Sequence, residues 1–126
     1  MAGIDLDKTV KDILSQYGEV AIEATKEAVA EVAKESAKKL KSSSPRGRTG
    51  KYAKGWTSKV EIGRVSASAT VYGKSGTYQL AHLLEHGHAK RGGGRTNEYV
   101  HIKPVEEWAI DEVIDRTITK VERQTR

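Results

Sequence analysis

His82, Glu85 and His86, in the run His82-Leu83-Leu84-Glu85-His86, are the residues of this sequence best spaced for chemistry. The pattern is that of an H-x-x-E-H zinc site. Residues four apart on a helix share a face, so His82 and His86 would grip one metal ion while Glu85 activates a water. A hydrolase also needs a third ligand, which would fall to His101, Glu106 or Glu107, and a cleft, which a chain of 126 residues can hardly build around this motif. Leu83 and Leu84 inside the motif suit ordinary packing. The expected reading is a short amphipathic helix with two polar histidines near the surface or at a subunit contact, with no bound metal and no cofactor.

Two glycine-rich segments invite a phosphate-binding reading. Gly47-Arg48-Thr49-Gly50-Lys51 lacks the spacing of a phosphate loop, no strand precedes it, and Tyr52 stands where a magnesium-binding hydroxyl belongs. Nucleotide binding is therefore excluded. Arg91-Gly92-Gly93-Gly94-Arg95 offers backbone amides between two guanidinium groups, a combination that can hold an anion. A flexible solvent loop explains the same composition.

Charge is distributed unevenly. The chain carries a formal net charge of +5, yet Lys38, Lys39, Lys41, Arg46, Arg48, Lys51, Lys54 and Lys59 follow one another with no acidic residue between them. Such a block favours a polyanion or the acidic face of another protein. Tyr52 and Trp56 supply the aromatics that nucleic-acid binding adds to positive charge, and they equally suit a loop anchored on a neighbour. Arg46, Arg48, Lys51, Tyr52, Lys54, Trp56, Lys90, Arg91 and Arg95 are thus the candidates for an interface or for facing DNA.

The elements that must position these residues follow from periodicity. From about Asp5 to Lys41, apolar residues recur at three- and four-residue steps, including Leu6, Val10, Ile13, Val20, Ala24 and Ala28, and predict one long helix capped by Asp5 or Asp7. Gly18 could bend it or split it. Such a helix would run roughly 50 Å, too far for the rest of the domain to cover, so Val20, Ala24 and Ala28 are candidate helix contacts with a partner. Residues 42–55 read as a long basic loop, expected to order on neighbours. Strands are predicted at 56–62 and 65–72 around a Gly63-Arg64 turn, with Val65, Ala67, Ala69 and Val71 on one face. A short helix over 78–86 stops at Gly87. A glycine-rich basic loop, a brief strand at 99–102 and a final helix from Pro104 complete the chain.

The whole reads as one α+β domain over 1–126: a long helix (1–41), the basic loop (42–55), a sheet with a short helix and a Gly-rich loop (56–103), and a C-terminal helix (104–126). The two long helices should pack on a small antiparallel sheet. Apolar residues are 37% and charged residues 31% of the chain, which implies a modest core. Without cysteine there are no disulfides and no Cys-based zinc site. No apolar run approaches the length that spans a bilayer, and MAGIDLDKTV lacks the features of a signal peptide. The expectation is a protein made in the cytoplasm without membrane contact.

Three segments carry a resemblance: Thr49-Gly-Lys-Tyr-Ala-Lys-Gly-Trp56, Leu80-Ala-His-Leu-Leu-Glu-His-Gly-His-Ala-Lys-Arg-Gly-Gly-Gly-Arg95, and His101-Ile-Lys-Pro-Val-Glu-Glu107. Their order behind a long helix resembles a family of proteins of long-tailed bacteriophages labelled tail component or tail completion protein. The third segment departs from the family's P-H-I-x-P-A-E pattern, since Tyr99-Val100 precedes His101 and Val105 replaces the small residue. The resemblance implies a structural virion protein of the neck, joining the head connector to the tail tube as a homo-oligomeric ring (hexamer or dodecamer), and no enzymatic activity. The implied partners are connector, tail terminator and tail tube proteins, with possible contact to genomic DNA in the channel. The implied location is the virion, after assembly in the bacterial host cytoplasm. A DNA-contacting basic module and a small zinc hydrolase built on His82, Glu85 and His86 are the alternatives.

Overall fold

The computed structural model describes residues 3–46, 49–74 and 77–124. Element order is β1 (Gly3–Asp5), α1 (Asp7–Tyr17), a 3-10 turn (Gly18–Ala21), α2 (Ile22–Ser43), α3 (Lys51–Lys54), β2 (Trp56–Ile62), β3 (Ala67–Gly73), α4 (Thr77–His86) and α5 (Ile102–Gln124). The architecture is α+β: long helices at both ends of the chain and a small antiparallel sheet of three strands in the order β1-β3-β2. Among the described residues no helix is long and apolar enough to cross a membrane.

The predicted long helix is divided. Gly18 sits at φ 70° and ψ −158°, a region open essentially only to glycine, and the helix axis breaks there. A strand not foreseen in the sequence precedes the helix and takes Asp5 from its expected start: Gly3, Ile4 and Asp5 pair with Tyr72, Val71 and Thr70 of β3. The Asp5 carboxylate accepts the Asp7 amide at 2.9 Å. Asp7 in turn accepts the Ser68 hydroxyl and the Ala69 amide at 2.9 and 3.1 Å, which fastens the start of α1 to β3.

Helix α2 is the centre of the domain. Its buried positions include Ala24, Thr25, Ala28, Val29, Val32 and Ala33, too broad an arc for one contact. One side lies against β2 and β3, and another against α5. Small residues explain how two layers fit, because alanines let a neighbouring backbone approach closely. The helix therefore needs no partner for Ala24 and Ala28, both fully buried in the chain's own interior. The expectation that an outside surface must cover this stripe is corrected by the break at Gly18 and by α5.

Helix α5 runs antiparallel to α2, and ion pairs mark the register. Arg116 donates to Glu35 and, at 3.0 Å, to Glu112 one turn earlier, and Lys120 reaches Glu31 at 3.1 Å. The Arg116 guanidinium holds the Glu35 carboxyl below its usual range. At the other end Lys39 lies 4.4 Å from the Trp108 ring centroid, a cation–π contact. The helix starts at Ile102, so the predicted strand at 99–102 is absent and Pro104 falls in the first turn, where a missing N–H costs nothing.

The hairpin matches its pattern closely. Strands β2 and β3 pair from Trp56↔Gly73 to Ile62↔Ala67. Ala69, Val71 and Gly73 are the buried positions of β3. Val65, expected on the buried face, is 63% exposed at the turn. Trp56 lies opposite Gly73, which leaves space for the indole.

Candidate functional site

Several polar side chains meet where α3, α4 and α5 converge. Glu85, from the H-x-x-E-H run, is buried. Its Oε1 accepts the amides of His101 and Ile102 at 2.8 and 2.9 Å, and its Oε2 accepts the amide of Lys103 at 3.0 Å. These are amides that the first turn of a helix leaves without a partner. Burial pushes the Glu85 carboxyl up, but the three amides and His101 outweigh it and hold the group below its usual value of 4.5. Glu85 is thus the anion at the positive end of α5.

His101 continues the chain of bonds. It is 2% exposed. Its Nδ1 lies 2.6 Å from the Tyr99 carbonyl and 3.1 Å from Glu85 Oε1. Two acceptors on one nitrogen require that Nδ1 carry the proton. Nε2, 2.6 Å from the Tyr52 hydroxyl, then accepts from Tyr52 when the ring is neutral. Burial, and then the charge of Glu85, raise the Tyr52 hydroxyl far above the ordinary tyrosine value. Carboxylate, imidazole and hydroxyl stand in the order of a hydrolytic triad, but the hydroxyl belongs to a buried tyrosine and faces the domain interior.

This clasp positions the loops. Tyr52 and Ala53 are the buried side of α3, while Lys51 and Lys54 are exposed. The basic segment thus contains an amphipathic turn whose aromatic side points inward. Trp56, 1% exposed, donates its indole N–H to Ser44 Oγ at 2.8 Å and meets Tyr52 edge-on. Much of residues 42–55 is accordingly built on its own domain: α2 takes Ser42 and Ser43, and α3 takes Lys51 to Lys54. The expected unstructured loop is reduced to a short connection, part of which, with Arg48, lies outside the described residues.

The glycine-rich loop also has structure. Gly87 has φ 72°, and a Cβ there would come within 2.7 Å of the Thr96 carbonyl oxygen, so a glycine is needed for the chain to turn back. Thr96 donates its amide to the His88 carbonyl at 2.8 Å, Ala89 bridges Arg95, and Lys90 donates to Gly94 at 2.9 Å. The result is a small hairpin with Lys90, Arg91 and Arg95 exposed. Arg95 also reaches the Gly87 carbonyl at 3.3 Å. The amides of Lys90 and Gly93 are spent inside the turn, which weakens the anion-nest reading.

The sequence candidates therefore separate. Arg46, Lys51, Lys54, Lys90, Arg91 and Arg95 are all exposed to solvent. Tyr52 and Trp56 are interior. Of the three helix candidates only Val20 is exposed, at 55%. His82 and His86 are exposed with ring centroids 4.9 Å apart, while Glu85 is occupied by α5. Among the described residues no three His, Asp or Glu side chains converge to hold a metal ion.

Sequence reasoning did not foresee the role of His101 and Tyr52, nor the exposed apolar side chains Tyr17, Ile62, Leu80, Leu83, Tyr99 and Val100. One signal was present: Pro104 marks a helix start, and a helix start buried beneath a loop calls for an anion.

A shallow groove completes this end. It is lined by Lys38, Lys39, Ser42, Ser43, Val105 and Trp108, and continues past Ser43, Pro104 and Val105 toward Glu98, Tyr99 and Val100.

No curated protein and no solved structure matches the chain. One family model does, that described as "Bacteriophage HK97-gp10, putative tail-component", over residues 5–87. Those residues run from the end of β1 through α4 and include Glu85, Tyr52 and the Gly87 stop. Well over half the chain is matched, and the protein belongs to this family of bacteriophage tail components.

Proposed function

We propose that the chain is a structural subunit of a tailed phage that completes the neck, joining head connector to tail as a cyclic homo-oligomer, and that it performs no catalysis. The observation that carries this reading, beside the family, is where the polar chemistry lies. Glu85, His101 and Tyr52 satisfy one another and the amides of α5 inside the domain. What the surface offers is positive charge on loops and isolated apolar side chains, the material of protein contacts. Ring size, hexamer or dodecamer, and the neighbouring connector, tail terminator and tail tube proteins belong to the same proposal, as does residence in the virion after assembly in the host cytoplasm. Deleting the gene should yield filled heads and separate tails that join when purified protein is added. Normal joined particles without the chain would refute the reading.

A second reading rests on the exposed cations Arg46, Lys51, Lys54, Lys90, Arg91 and Arg95: contact with DNA in the channel. Each phosphate contact adds about 0.9 to the slope of log affinity against log salt. A slope of about 4 or more for duplex DNA, reduced by replacing Lys51 and Lys54, favours it. Binding that ignores salt removes it.

A further inference from the structure

The domain has two unlike ends, and we infer that they join copies head to tail: the corner at Tyr17–Val20 of one subunit seats in the groove between α2 and α5 of the next. This inference rests on the ring reading above and names its contact.

The corner is an unusual piece of surface. Every residue from Ser15 to Val20 is exposed, although two of them, Tyr17 and Val20, are large and apolar, at 40% and 55% exposure. Gly18, at φ 70°, ends α1 between them. Glu19 and Glu23 flank the apolar pair, with Glu23 bonded to Lys26 at 3.0 Å. Lys26 is shared with the Arg64 carbonyl at 2.6 Å, so it answers only part of this negative charge. The corner is thus an apolar knob with Glu19 and Glu23 beside it.

The groove is its complement. Trp108, Val105 and Pro104 form an apolar floor, and Lys38 and Lys39 stand over it. Lys39 is held on the Trp108 ring, which fixes a cation at the rim. Lys41 and Lys103 are exposed close by in sequence, and Glu98 marks the far mouth.

Distance decides that the partners are different copies. Val20 lies in the 3-10 turn that leads into α2 and Lys39 near the far end of α2, roughly 25–30 Å apart at about 1.5 Å per residue. No subunit can fill its own groove. A contact between unlike surfaces repeats from copy to copy and closes into a ring when the rotation allows. The sign of the charges sets which way the subunits face.

The test uses the absence of cysteine from the chain. The full-length double variant Val20→Cys with Ser42→Cys is treated with a short bismaleimide, both as purified protein and in particles complemented by it. A covalent ladder beyond the dimer is expected, ending at the ring size, and no ladder from either single variant. In parallel, Lys38→Glu with Lys39→Glu should raise the concentration for half-assembly roughly tenfold, since two attractions become repulsions. Adding Glu19→Lys and Glu23→Lys should restore it. Wild-type oligomers by light scattering, with no ladder and no charge rescue, overturn this contact and leave the ring reading intact. A chain that is monomeric in solution and present once per particle overturns both. Loss of particle incorporation by Lys38→Glu with Lys39→Glu, with homo-oligomers unchanged, assigns the groove to another phage protein and refutes the inference.

Discussion

Replacing Glu85 by glutamine removes the charge that holds α5 in place while keeping the side chain's size. Three hydrogen bonds of 2.8 to 3.0 Å, donated by the backbone amides of His101, Ile102 and Lys103, end on this carboxylate. Glutamine retains one oxygen, which can keep the His101 and Ile102 amides, but presents an NH2 group to the amide of Lys103. One buried donor is left facing a donor, at about 1–3 kcal/mol. The lost charge at the helix terminus adds about 0.5–2 kcal/mol. The sum is about 1.5–5 kcal/mol, with a middle value of about 3, and at about 3–5 °C per kcal/mol for a domain of this size the melting temperature should fall by about 10 °C. The effect has a pH signature. The folded carboxyl titrates below 4.5, so its contribution is present above that value and is lost as pH falls through the depressed one. Wild type and Glu85→Gln should therefore converge in stability on acidification below 4.5. Calorimetry at several pH values, with hydrogen exchange on 102–106, measures both. A variant melting within 2 °C of wild type at pH 7, or a gap that stays constant down to pH 3, would refute the reasoning.

The other predictions concern single positions. Tyr52→Phe leaves His101 Nε2 buried without its partner and should cost about 1–3 kcal/mol in chemical denaturation; no loss would remove the clasp from the account. Gly18→Ala meets no atom within 4 Å, so its cost is backbone strain alone, about 1–3 kcal/mol by the same measurement. Val20→Asp should leave the monomer's melting temperature within about 2 °C, since surface changes rarely exceed 0.5 kcal/mol, yet block ring formation in sedimentation. Ala24→Asp should instead unfold the subunit, because it buries an unpaired charge. Equal stability of these two variants would contradict the division of α2 between core and contact.

The order of elements and the α+β class were legible in the chain, because periods of two and of three to four residues are direct consequences of burying one face. The hairpin was readable from Gly63-Arg64 between two β-rich runs. The length of the first helix was not, because residues 5–41 keep one hydrophobic rhythm across the break; only Gly18 signalled it. Nor was the burial of Ala24 and Ala28: an alanine stripe fits an outside partner and the chain's own α5 equally well. Tyr52 and Trp56 misled for a related reason. Local composition described a basic loop, while a hydrogen bond from Trp56 to Ser44 and another from Tyr52 to His101, 49 positions away, turned its aromatics inward. Glu85 matched a metal motif letter for letter, and its real neighbours, the amides of 101–103, lie about sixteen positions on, where spacing carries no information.

The proposed closed ring at the neck is tested most directly by imaging the intact virion. A reconstruction of the neck, with this domain fitted as β1–α5, should show it as a cyclic ring between head connector and tail tube, in six or twelve copies. Density at the neck accounted for by other proteins, with this chain absent from the particle or sited elsewhere in the tail, would contradict the account.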